Sequence, residues 1–128
     1  MTSEQPRQNE LIRIFIGYDP RQAVAYQVLH YSIMLRATRP VAITPLVLQT
    51  LPITRAGLTP FTYSRFLVPW LCEYNGWALF MDLDMLLLDD ISTLFAFGDD
   101  RYAAMVAKNP LKLEWASMIL YNCGHPAN

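Results

Sequence analysis

The chain has 128 residues, of which 53% are hydrophobic and 16% charged, and its formal net charge is −1. That length supports one domain with its own core, and that composition argues against disorder. No basic block or aromatic–basic interleaving offers a nucleic-acid surface, so no nucleic-acid partner is expected.

Two cysteines, Cys72 and Cys123, are too few for a disulfide framework, and no Cys-x-x-Cys or Cys/His cluster supports zinc. Both read as packed thiols of a cytoplasmic protein. Residues 1–10 are polar, lack the apolar segment of a signal peptide, and read as a frayed tail ahead of a domain over 11–128. No stretch reaches membrane-spanning length, because Arg65 and the prolines interrupt the apolar candidates. A peripheral association at the inner membrane is the alternative to a purely cytoplasmic protein.

In chain order, Leu11 to Tyr18 reads as a buried first strand. Asp19-Pro20 starts a helix, with Asp as cap and Pro in the first turn. Gln22 to Ala37 lacks Gly and Pro. Ala23, Tyr26, His30, Ile33 and Ala37 fall on one face, which makes His30 a core residue. Arg36, Thr38, Arg39 and Pro40 end the helix. Val41 to Leu48 reads as a second strand with Pro45 at an edge or bulge, and Gln49 to Pro60 as a loop. Phe61 to Tyr74 reads as helical, interrupted at Pro69, and Asn75-Gly76 as a turn.

Trp77 to Met81 is an apolar strand of the kind buried on both faces in a parallel sheet. Asp82-Leu83-Asp84 follows it directly. Carboxylates at i and i+2 share a face in extended backbone, and the C-terminal end of such a strand is where open α/β sheets bind ligands. Hard cations such as Mg2+ or Mn2+ take carboxylate and phosphate oxygens, so the pattern points to a metal-bridged phosphate site. The competing reading is two aspartates that simply end a strand in solvent. Met85 to Leu88 continues the chain, Asp89-Asp90 caps a helix over Ile91 to Phe97, and Gly98-Asp99-Asp100 turns into a strand over Arg101 to Lys108. A loop at Asn109-Pro110 leads to a last strand, Ser117 to Cys123. This order predicts an α/β fold with a mostly parallel sheet.

Asp19, after the first strand, is placed to accept hydrogen bonds from a nucleobase or ribose, or to act as a cap alone. Arg65 lies among apolar residues, and a buried guanidinium needs an anionic partner. A substrate phosphate or a nearby Asp would serve; a surface Arg with a snorkelling stem is the alternative. Asn122, at the end of the last strand, could hydrogen-bond a sugar hydroxyl, whereas His125 reads as an exposed loop residue. A carboxylate-dependent phosphatase also carries Asp-x-Asp after a strand, with the first Asp as nucleophile, but there the motif lies on the first strand. No GxxxxGK[ST] loop, Gly-x-Gly-x-x-Gly loop or Ser/His/Asp system occurs.

Taken together, IRIFIGYD, AYQVLHYSI, TYSRFLVPWL, WALFMDLDMLLLDDISTLF and SMILYNCGHP, in that order, resemble GT-A-fold glycosyltransferases, and among them bacterial and phage relatives of glycosyltransferase family 8. The resemblance implies a Rossmann-like GT-A sheet flanked by helices, and a hexosyltransferase-like enzyme with a nucleotide-sugar donor, usually UDP-linked. It also implies Mn2+ or Mg2+. Asp82 would contact ribose or metal, Asp84 would coordinate the metal on the diphosphate, Asp19 would hold the nucleoside, Arg65 would reach the donor, and Asn122 would border the sugar. No catalytic residue is assigned, and the acceptor (saccharide, lipid or protein) is open. Family domains extend beyond this C-terminus and supply a third ligand there, often a His, which His125 is not expected to replace. The chain therefore reads as a C-terminally short domain with open catalytic competence. A non-catalytic nucleotide-sugar-binding remnant, or a homo-oligomer subunit associating through exposed apolar surface, is the alternative.

Overall fold

The computed structural model describes residues 10–52, 62–106 and 117–128. Five strands form one sheet: β1 (Ile12–Gly17), β2 (Val41–Leu46), β3 (Trp77–Met81), β4 (Ala104–Val106) and β5 (Met118–Asn122), in the order β2-β1-β3-β5-β4. β1 pairs in parallel with β2 and β3, and β5 is antiparallel to β3 and β4. Four strands thus share one direction and β5 alone is reversed, which gives the expected α/β, mostly parallel sheet. The alternation of side chains sorts the strands into two cores. Ile12, Ile14, Ile16, Trp77, Leu79, Met81 and Leu120 face one side; Phe15, Ala78, Phe80, Ile119 and Tyr121 face the other. All five residues of β3 are buried, as its unbroken apolar run requires for a strand covered on both faces. Each fully buried Ile or Leu contributes about 1.5–3 kcal/mol against conformational entropy.

α1 (Ala23–Arg36) covers the first face through Leu29 and Ile33. It is preceded by a 310 turn, Pro20–Gln22, in which Asp19 accepts a hydrogen bond from the backbone N–H of Arg21, with Pro20 in the first turn. The inward stripe differs from the expected one: Leu29 is fully buried where His30 was expected, and His30 is half-buried beside the Tyr26 ring. Nearly every position from Ala23 to Leu35 is apolar, so no polar stripe marked the outer side. Ser32 is buried in this helix. Its hydroxyl donates to the Leu29 carbonyl (2.8 Å) and accepts from the Leu87 N–H (3.0 Å). It thereby fastens the segment after Asp84 to α1.

α3 (Ser92–Phe95) is shorter than the expected 91–97 helix. The Asp90 carboxylate accepts from the Ser92 N–H (3.0 Å) and from the Thr38 hydroxyl, so one residue ties the start of α3 to the end of α1. Partial burial alone would push the Asp90 carboxyl up, but the hydrogen bonds from Thr38 and Ser92 outweigh it and hold it below its ordinary 3.8. A depressed folded-state value gives stability that is present above the unfolded value and lost as pH falls through the folded one. Asp90→Ala is therefore expected to cost about 1 kcal/mol at neutral pH, a usual figure for a lost cap. The gap from wild type should close below the folded value of Asp90, which lies under 3.8. Thermal midpoints of both proteins against pH check this.

The other face carries a 310 segment, Thr62–Leu67, running into α2 (Val68–Leu71) with Pro69 in its first turn. Phe61 of the expected helix lies outside the described residues, as do 53–60 of the expected loop and Asn109-Pro110. The predicted Asn75-Gly76 turn is present: Gly76 has φ +70°, and an added Cβ would sit 2.8 Å from Arg13 Nη2. Arg13 spans this turn, donating to the Asn75 and Trp77 carbonyls. Cys72 and Cys123 are both buried free thiols, as expected; their mutual hydrogen bond and then burial push the Cys123 thiol up. β2 stops at Leu46, short of the expected Leu48, where a 310 turn over Leu48–Thr50 begins. β4 begins at Ala104, later than the expected Arg101, and is described as far as Val106; 107 and 108 of the expected strand lie outside the described residues. No helix among the described residues is long and apolar enough to cross a membrane.

Candidate functional site

From β1 the chain runs out to β2 and then returns past β1 to β3. α1, between β1 and β2, lies on one face, and the 310–α2 segment, between β2 and β3, on the other. The crevice outside the C-terminal ends of β1 and β3 is thus a topological switch point, where open α/β sheets bind ligands. Asp19 follows β1 at this edge, and Asp82 and Asp84 follow β3.

The Asp-Leu-Asp segment keeps the strand's alternation after β3 ends. Leu83 is buried in the α1-side core, Asp82 is partly buried and Asp84 is exposed. The Asp82 N–H still donates to the Ser117 carbonyl at 2.8 Å, which extends the β3–β5 contact by one bond and fixes where the carboxylates leave the sheet. Arg65 is 6% exposed, and its Nη2 lies 3.2 Å from Asp82 Oδ1. Its guanidinium rests over the Phe80 ring, 4.9 Å from the centroid, a cation–π contact that offsets part of its desolvation. The sequence alternatives for Arg65 resolve in favour of burial with an anionic partner, not a snorkelling surface residue.

Burial pushes the Asp82 carboxyl above its ordinary value, the attraction of Arg65 pulls it down, and the negative charge of Asp84 raises it again. The two carboxylates therefore feel each other, as ligands to one cation would. Among the described residues no three His, Cys, Asp or Glu side chains cluster. The donor set is two hard oxygen ligands beside a guanidinium. It fits an ion that takes its remaining ligands from phosphate and water, and not a cage built by protein alone.

Asp19 is 3% exposed, and Arg21 grips its carboxylate, with Nη2 2.8 Å from Oδ2. The side-chain hydrogen bond from Arg21, followed by its backbone N–H, holds the Asp19 carboxyl below its ordinary value. Tyr18, Asp19, Arg21, Val47, Leu48 and Gln49 line a cavity of about 350 Å3 at the ends of β1 and β2. Capping by Asp19 is thus realised, and the same residue forms part of a cavity wall.

Asn122 is not brought to this edge. It pairs with Trp77, the first residue of β3, whereas Asp82 follows Met81 at the other end. The sequence placed Asn122 by its position at the end of the last strand; the reversed direction of β5 carries it to the opposite edge of the sheet. Its side chain is fully buried, and its amide N and O meet no hydrogen-bond partner among the described residues. His125 lies beyond it, its Nδ1 accepting from the Ala127 N–H at 3.1 Å.

Tyr121 escaped the sequence reading. Its hydroxyl donates to the Arg65 carbonyl at 2.8 Å, across 56 positions of chain. Burial pushes its phenol up to about 12, against the pull of Arg65. The available signal was a Tyr in an otherwise apolar strand, since a buried phenol needs a partner. Arg65 is thus held by its carbonyl at Tyr121 and by its guanidinium at Asp82 and Phe80.

No protein-family model matches the chain. It is 43% identical over 143 residues to Protein CDI of Arabidopsis thaliana, an alignment covering 91% of this chain and 54% of that protein. The chain thus spans about half the length of that curated relative. Two solved structures are similar. The apo structure of the bifunctional glycosyltransferase WbbM superposes with a TM-score of 0.68 at 16% identity, over 98% of this chain and 34% of that one. The apo form of the glycosyltransferase GlyE from Streptococcus pneumoniae TIGR4 gives 0.65 at 12% identity, over 91% and 35%. The five-stranded open sheet and its flanking helices are therefore an α/β fold that this chain shares with glycosyltransferases.

Proposed function

We propose that this chain holds a nucleotide-sugar donor, UDP-linked, across the C-terminal ends of β1 and β3 and serves in glycosyl transfer to a saccharide, lipid or protein acceptor. The observation that carries this reading is the meeting of Asp82, Asp84 and buried Arg65 at the switch-point edge of a sheet shared with glycosyltransferases. Asp84, exposed and free to turn, and the Asp82 oxygen not facing Arg65 would ligate Mn2+ or Mg2+. When bound, such an ion stabilises the charge that develops on a departing diphosphate.

The chain's own residues do the positioning. Arg65 is pre-set by Phe80 and Tyr121, so little side-chain entropy is lost when it meets a phosphate. Both Asp19 carboxylate oxygens are engaged by Arg21, whose side chain is exposed, so ribose hydroxyls at the cavity wall would bind there by taking over bonds that Arg21 now makes. Leu83, buried between the two aspartates, fixes the depth at which they stand.

Calorimetric titration of UDP, UDP-glucose, UDP-galactose and GDP-mannose, each with and without Mn2+, tests the reading. Ion-dependent binding of the UDP compounds is the expected result, and a folded protein that binds none of them would overturn it. Release of free sugar from the donor then separates a transferase from a binding module. Turnover of phosphomonoesters without UDP dependence would replace both with a phosphatase.

A further inference from the structure

α1 presents an apolar face on its outer side as well as its inner one. Val24, Gln27, Val28, Tyr31, Met34 and Leu35 are its exposed residues, and only Gln27 among them is polar. Val24 is 76% exposed, Val28 50%, Tyr31 66%, Met34 52% and Leu35 59%. A helix on the outside of a domain ordinarily turns charged residues to water, yet none occurs between Ala23 and Leu35. Contiguous exposed apolar surface of this kind marks an interaction site.

The spacing suits another helix. Val24, Val28, Tyr31 and Leu35 recur at intervals of four, three and four, the seam that seats another helix by knobs into holes. We propose that this seam packs against the same seam of a second copy of the chain, in an antiparallel two-fold dimer. An isologous interface needs a surface complementary to itself, and a stripe without charge meets that need without repulsion. Arg36 is the one charged residue of α1. Parallel packing would set the two Arg36 side by side, whereas antiparallel packing separates them by about the 21 Å helix length, beyond the roughly 8 Å screening distance. The five apolar side chains offer on the order of 500 Å2 per copy, which places the pair near the lower limit for a specific interface. Association should therefore be weak, in the micromolar range. The inference rests on α1 alone and stands or falls apart from the donor reading.

Sedimentation velocity of the 128-residue chain, from about 1 to 200 µM, is the test, because a homodimer's population depends on protomer concentration. A monomer–dimer equilibrium is expected in the wild type. The Val28→Glu/Tyr31→Glu double variant should dissociate at least about tenfold more readily, since two carboxylates per copy would meet inside the seam. Both positions are exposed, so far-UV circular dichroism should show an unchanged fold. Antiparallel pairing sets position 24 against 35 of the partner. A mixture of Val24→Cys and Leu35→Cys proteins should then cross-link as a heterodimer, with the native thiols buried out of reach. A wild type that stays monomeric over the whole range, a double variant that associates equally well, or cross-linking confined to Val24→Cys with itself would overturn the proposal.

Discussion

Asp84→Asn should remove the Mn2+-dependent part of UDP affinity while leaving the fold unchanged. Asp84 is exposed, so its exchange for a neutral isostere belongs with surface substitutions that shift stability by less than about 0.5 kcal/mol. Its loss as an ion ligand is another matter. A charge-assisted contact is worth about 2 kcal/mol, so affinity in the presence of Mn2+ should fall on the order of 30-fold, towards the ion-free value. Titrations of wild type and variant with and without Mn2+ give the four numbers required. An ion-dependent gain that survives in Asp84→Asn would remove this residue from the metal. Removing the charge of Asp84 also withdraws one influence that raises the Asp82 carboxyl, so the change at Asp82 favours its charged form.

The largest expected loss of stability comes from Phe80→Ala. Phe80 is 1% exposed, lies opposite Phe15 on β1 and Ile119 on β5, and fills the core on the α2 side. Truncating a buried Phe costs about 3–5 kcal/mol, a large share of the roughly 5–15 kcal/mol that holds a domain together. Urea unfolding should show a much lower midpoint at an unchanged slope. Phe80→Leu separates the two tasks of the ring. It keeps most of the volume, so it should cost about 1 kcal/mol, yet it removes the aromatic face beneath Arg65. UDP affinity should then weaken by several-fold, in line with about 1 kcal/mol for a partly desolvated cation–π contact. Equal UDP affinity for Phe80→Leu and wild type would show that the ring only fills space.

What the sequence disclosed and what it hid have the same physical root. β3 was legible because five consecutive apolar residues before two aspartates have few other solutions. The burial of Arg65 was legible because a guanidinium within an apolar stretch demands an anion. The direction of β5 was not legible: an apolar strand reads the same both ways, and Asn122 was assigned to the wrong edge for that reason. The inward face of α1 was ambiguous because the helix is apolar on nearly every side, so periodicity could not choose Leu29 over His30. Ser32 and Tyr121 act on partners 55 and 56 positions away, and no local pattern reports such contacts. Asp90 was found as a cap, whereas its hold on Thr38 depends on packing that only the fold reveals.

Pro45 bears on how concentrated solutions of this protein should behave. β2 is one outer strand of the sheet, and Pro45 is its next-to-last residue, opposite Ile16. A proline has no N–H to offer an incoming strand, so strand addition at that margin meets a gap. At the other margin the described part of β4 covers Ala104–Val106. The β2 margin thus resists the edge-to-edge pairing that produces fibrils, despite a chain that is more than half hydrophobic. Prolonged storage at high concentration should yield discrete particles that redissolve on dilution, not thioflavin-positive filaments.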